Sequence, residues 1–149
     1  MQPSPPIPEG PERRAALTAE VSARTGLTPE TIGRFLRAFY GAARVDPLLA
    51  SAFVTVPDWE AHIAAITRFW CSVALMTGEY HGQPMRAHAR LTLTSDHFSR
   101  WLALFEAIAE AQFTAEGAAH MIDRARRIAR SLELGLVPFD PGAARPPGV

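Results

Sequence analysis

Two histidines, a tyrosine and a tryptophan hold most of the chemistry this chain has to offer. His62 heads an apolar stripe that continues through Ile66, Phe69, Trp70 and Val73 at spacings of three and four, which puts its imidazole on the inner face of a helix. His88 closes the stretch Tyr80-His81-Gly82-Gln83-Pro84-Met85-Arg86-Ala87-His88 that follows that helix. Tyr40, Phe53, Phe69, Trp70 and Trp101 lie between and around the pair. Two imidazoles facing each other across bulky aromatics can bracket a flat cofactor, with a phenol and an indole as hydrogen-bond donors beside it.

Each of these residues has a plainer explanation when taken alone. A histidine on an apolar face is most often a hydrogen-bonded core or boundary residue, and one in a short loop helix is usually exposed. Tyrosine at the end of an apolar stripe keeps its hydroxyl wet, and a tryptophan fills a core. The reading rests on the combination: three helices and one loop contribute the four polar rings, with large apolar side chains between them.

The elements that must position these groups are all helical. Pro3, Pro5, Pro6, Pro8 and Pro11 crowd the first eleven residues, and Pro138, Pro141, Pro146 and Pro147 the last twelve, so both ends read as extended tails. A modest helix from about Glu12 to Arg24 is expected, stopped by Gly26. Thr28 as N-cap, Pro29 at the first helical position and Glu30 in the first turn start a helix carrying Ile32, Phe35, Leu36, Phe39 and Tyr40 on one face. Pro57-Asp58 opens the His62 helix, expected to end at Thr77-Gly78. Thr94 or Ser95 caps a helix with Phe98, Trp101, Leu102, Phe105 and Ala109 inside. Thr114 caps the last, with Met121, Ile122, Ala125, Ile128, Ala129 and Leu132 inside and Gly135 as its stop. Between Gly78 and Thr94 only a short helix of about two turns fits, around Pro84 to Ala89, presenting His88 to the core. No alternating strand pattern and no repeat is present, so the fold class is all-α, with a domain over 28–137, a Pro-rich segment with a short helix over 1–27, and a disordered tail over 138–149.

Composition narrows the partners. The 149 residues are about one domain, and 48% hydrophobic content suffices for a single core. Fifteen basic residues, all arginine, balance fifteen acidic ones, which gives nucleic acid and acidic membranes no attraction to the whole chain. One cysteine, Cys71, permits no internal disulfide and fits a reducing cytoplasm. Met1 to Gly10 lacks a basic region followed by an apolar run, and no segment has the length of a membrane span, so a soluble cytoplasmic chain is expected.

A haem needs a neutral imidazole for its iron, apolar walls for the macrocycle and a few donors on the other side, and the residues above supply each part. No Cys-x-x-Cys-His is present, so thioether attachment is not expected. The ordered set Phe39-Tyr40, Asp46-Pro47-Leu48-Leu49, Phe53, Trp59-x-x-His62, Phe69-Trp70, Tyr80-x-Gly82-Gln83-Pro84-x-x-x-His88 and Phe98-x-x-Trp101-Leu102-x-Leu104-Phe105 resembles the third group of truncated haemoglobins over residues 28 to 136. The resemblance implies a globin-like two-over-two helical sandwich around one b-type haem. It also implies His88 as the iron ligand, Tyr40, His62 and Trp101 as the reactive distal groups, Phe53 and Phe69 as wedges against the haem and Ile66 as a distal wall. Arg86 and Arg90 flank His88, and either can reach a propionate or simply sit in solvent.

The function expected is binding of oxygen and other small diatomic ligands such as nitric oxide and carbon monoxide. Two donors beside a bound ligand that carries negative charge imply slow release, which suits ligand chemistry or sensing, for instance nitric oxide dioxygenase-like or peroxidase-like turnover with an unidentified reductase, better than transport. The competing readings are a cofactor-free helical interaction module, in which the aromatic stripes are only core, and a metal-binding bundle, which would want carboxylates on facing helices where this chain has almost none.

Overall fold

A computed structural model describes residues 10–78, 80, 82, 85, 88 and 91–137. Five α-helices and one short 3-10 turn account for the described elements, and no strand occurs among the described residues: α1 (Pro11–Thr25), α2 (Pro29–Val45), the turn Ala50–Phe53, α3 (Trp59–Leu75), α4 (Ser95–Gln112) and α5 (Ala115–Leu136). The pairs α2 with α3 and α4 with α5 form the main interfaces, and α2 also packs on α4, giving a two-over-two sandwich.

Local chemistry sets the helix starts. The Thr31 N–H donates to Thr28 Oγ1 at 3.1 Å while the Thr28 N–H donates to Thr31 Oγ1 at 2.9 Å, a reciprocal cap that satisfies two otherwise orphaned donors. Asp58 Oδ1 accepts from the Ala61 N–H at 3.1 Å and so starts α3. Thr114 Oγ1 accepts from the Gly117 N–H at 3.0 Å and donates its own proton to the Thr25 carbonyl at 2.9 Å, which ties the start of α5 to the end of α1. Gly117 makes this junction possible, because a Cβ there would lie 2.8 Å from the Thr25 carbonyl oxygen.

Two expected stops differ from the sequence reading. Helix α3 ends at Leu75, two residues early, with Met76 in the left-handed region at φ 60°. Such a conformation costs a non-glycine residue roughly 1–2 kcal/mol. The helix end is held from outside: His120 Nε2–H donates to the Ala74 carbonyl at 2.9 Å, and the Thr18 hydroxyl donates to the Leu75 carbonyl. Gly135 does not stop α5, which runs through it to Leu136. A Cβ at Gly135 would lie 2.5 Å from the methyl at the flexible end of Met85.

The core is aromatic at its centre. Phe105 on α4 meets Phe35 at 4.8 Å and Phe39 at 5.2 Å, both edge-on from α2, and Trp70 of α3 at 5.2 Å. All four rings are essentially fully buried, with Leu27, Ile32, Leu36, Leu75 and Met121 around them. Truncating one such ring to alanine typically costs about 3–5 kcal/mol. A second tie lies where α2 ends. Asp46, buried, accepts from the Leu48 and Leu49 N–H groups through Oδ1 and from Arg100 Nε through Oδ2 at 2.8 Å. The Arg100 guanidinium and the two amides hold this carboxyl below the usual range against the opposing effect of its burial.

The expected tails, 1–9 and 138–149, lie outside the described residues. So does most of the expected short helix before Thr94, of which Met85 and His88 are described and have helical backbone. Among the described residues no helix is long and apolar enough to cross a membrane.

Candidate functional site

The two helix pairs part on one side of the Phe105 cluster and leave a cavity of about 360 Å³, within the usual range for small-molecule sites. All seven residues singled out from the sequence line it: Tyr40 from α2, Phe53 from the 3-10 turn, His62, Ile66 and Phe69 from α3, Trp101 from α4, and His88. Each is partly exposed, as residues facing an open cavity must be. Arg86 and Arg90 lie outside the described residues.

One wall is a lattice of rings. Tyr40 packs edge-on against Phe39 at 4.7 Å and Phe53 at 5.8 Å, and its ring centre is 6.3 Å from that of His62. His62 also meets Phe53 at 6.3 Å and Trp59 at 5.7 Å, and Trp59 is in turn covered by the Arg44 guanidinium at 4.4 Å. Trp101 stands on Phe39 at 5.5 Å and Phe105 at 5.2 Å, so the core cluster sets its height in the cavity. Tyr40 and Trp101 are thus each held by two ring neighbours.

The electrostatics of this wall are those of neutral rings. Burial pushes the Tyr40 phenol up to about 12, and a weaker donation from the Trp101 indole N–H pulls the other way. Indole nitrogen can only donate, so Tyr40 oxygen accepts there and keeps its own proton for another acceptor. Burial lowers the His62 imidazole below its ordinary value, and the proximity of His88 lowers it further. Near neutral pH, then, His62 is uncharged.

His62 Nε2 is buried and has no hydrogen-bond partner among the described residues. A buried polar atom left unpaired costs about 1–3 kcal/mol, a penalty relieved when something in the cavity pairs with it. The donor set therefore fits a flat apolar group with a small polar ligand on its Tyr40–His62–Trp101 side, and His88 on another segment is an imidazole suited to iron. No three His, Cys, Asp or Glu side chains among the described residues come together as a metal-holding group.

Sequence reasoning missed three lining residues with polar tips, Thr55, Tyr80 and His97. Tyr80 stacks edge-on against Phe69 at 5.1 Å, with its backbone N–H donating to Ser72 Oγ at 2.9 Å. His97 also lines the cavity, at the third position of α4, and the Thr94-x-x-His97 spacing after an N-cap was the available signal.

A two-over-two helical sandwich with an apolar cavity edged by imidazoles, a phenol and an indole is the architecture of a globin. The chain is 31% identical over 109 residues to the group 3 truncated hemoglobin of Campylobacter jejuni, a match spanning 69% of this chain and 86% of that protein. Its fold matches the crystal structure of the group III truncated hemoglobin from Campylobacter jejuni with a TM-score of 0.70 and 28% identity, over 76% of this chain and 94% of that one. No family model matches the chain. The chain belongs to the group III truncated haemoglobins, a haem-binding family of globins.

Tyr40 yields a prediction from its ionisation alone. A phenol with a raised native value favours the protonated folded state, so its contribution, on the order of 2 kcal/mol, is present below about pH 10 and is lost as pH rises towards 12. Denaturant midpoints measured from about pH 9 to about pH 12 should fall more steeply for the parent than for Tyr40→Phe. Parallel curves would show that the Tyr40 hydroxyl is not buried.

Proposed function

We propose that this chain binds one haem b and uses it to hold oxygen, nitric oxide or carbon monoxide for ligand chemistry or sensing. The buried Nε2 of His62, without a hydrogen-bond partner among the described residues and on the same wall as Tyr40 and Trp101, is the observation that carries the reading. Haem b, when bound, supplies an iron able to take one protein ligand and one small exogenous ligand.

The chain's own residues divide the work. His88 offers the imidazole for the iron. Ile66, Phe53 and Phe69 wall the macrocycle and keep water from it. Tyr40, held by ring contacts, would donate its free proton to a ligand that gathers negative charge, and Trp101, also held by ring contacts, would donate to the same ligand by giving up its bond to the Tyr40 oxygen; a bond of this kind is worth about 1–3 kcal/mol. His62 Nε2 has no hydrogen-bond partner among the described residues, so this imidazole can turn, and it serves as a gate to the distal side. Firm retention favours detoxification of nitric oxide or peroxide, or sensing, over transport; turnover of that kind implies a reductase partner and a cytoplasmic setting. The haem-binding unit in this reading is 28–137, with α1 packed on α3 and α5.

Two sets of variants test this reading. His88→Gly should lose haem and recover it only when imidazole is added; an unchanged ferrous spectrum would overturn the ligand assignment. By stopped flow, Tyr40→Phe should release oxygen about tenfold faster, at about 1.4 kcal/mol per factor of ten. Trp101→Phe should act in the same direction, while His62→Leu should change association more than dissociation. A Tyr40→Phe dissociation rate within about twofold of the parent is incompatible with the proposed donors.

A further inference from the structure

Among the described residues lining the cavity there is no arginine, lysine, aspartate or glutamate. Its polar groups are Tyr40, His62 and Trp101 on the distal wall, His88, and then Thr55, Tyr80 and His97. Among the described lining residues away from the distal wall and His88, a group that brings two carboxylates to such a cavity finds possible donors in Thr55, Tyr80 and His97. Thr55 and Tyr80 carry hydroxyls, whose protons rotate to suit either role. His97 is different, because the tautomer of its neutral ring is set by the helix it starts.

The Thr94 backbone N–H donates to His97 Nδ1 at 3.0 Å, with the Thr94 hydroxyl also 2.9 Å from that nitrogen. A backbone N–H can only donate, so Nδ1 must present its lone pair. The ring proton of neutral His97 is therefore on Nε2. His97 is half-buried and lines the cavity, and with Nδ1 committed to the α4 cap the polar atom of its ring left for another partner is Nε2, which in the neutral ring is a donor. The capping bonds also hold the ring's orientation, so little rotamer freedom is lost when an acceptor arrives.

We infer that His97 is a carboxylate-binding residue of this cavity, its Nε2–H donating to a haem propionate while Thr94 holds its Nδ1. This rests on the haem reading above. The proposed interaction is a charge-assisted hydrogen bond from a neutral imidazole, positioned by α4 instead of by a solvent-exposed arginine.

The test compares haem loss from the ferric protein to an excess of apomyoglobin, using native haem and haem dimethyl ester, whose propionates carry no charge. His97→Asn places an amide oxygen near the Nδ1 position, so the Thr94 cap keeps an acceptor while the Nε2 donor is removed. With native haem, His97→Asn should lose haem about tenfold faster than the parent. With the dimethyl ester, the two proteins should differ by less than about twofold. Equal loss rates with native haem would overturn the assignment. An acceleration of the same size with the ester would also overturn it, by showing that His97 matters only to the fold of α4. A parent chain that takes up neither haem is a separate result, visible before any variant is compared: it refutes the haem reading itself and this inference with it.

Discussion

Phe105 reaches from α4 to Phe35 and Phe39 on α2 and to Trp70 on α3, and the spacing of the three helices follows from those contacts. Aromatic rings in contact at about 5 Å hold helices apart as firmly as they hold them together, because the interior is close-packed and tolerates neither collapse nor separation. Phe39 passes that spacing on to Tyr40, and both Phe39 and Phe105 pass it on to Trp101, so the two donors that face the cavity stand directly on the core. The site is thus an extension of the packing, and its polar tips are placed by apolar contacts.

Capping chemistry does the remaining positioning. The start of α5 is tied to α1 through Thr114, the end of α3 is held by His120 and Thr18, and the end of α2 is joined to α4 through Asp46 and Arg100. The paired charges lie outside the cavity: Arg37 with Glu60 and Arg126 with Glu106 are largely exposed and add little stability. Among the described residues the cavity lining holds no arginine, lysine, aspartate or glutamate.

Most of this was legible in the chain. The helix starts at Pro29, Trp59, Ser95 and Ala115 were readable because caps are local, and a threonine or aspartate before an apolar stripe says where a helix begins. Gly135 misled because a glycine near a helix end normally marks a stop, whereas here Met85 fills the space above it. Asp46 was noticed only as part of a motif; its partner Arg100 is 54 residues away, and no local pattern joins them. Helix stripes pointed to Tyr40, His62, Ile66, Phe69 and Trp101, while Phe53 and His88, outside those stripes, and the roles of all seven came from the resemblance to truncated haemoglobins; His97 escaped because a residue at a helix start looks like capping and nothing more. Its second role appears only when α4 is set against the cavity.

The account turns on whether this cavity takes up haem, and a titration of the purified chain with haem measures that directly. It predicts a Soret band that grows to saturation at one haem per chain and is lost in His88→Gly. Haem that adds no saturable band, or a band indifferent to His88, would contradict it.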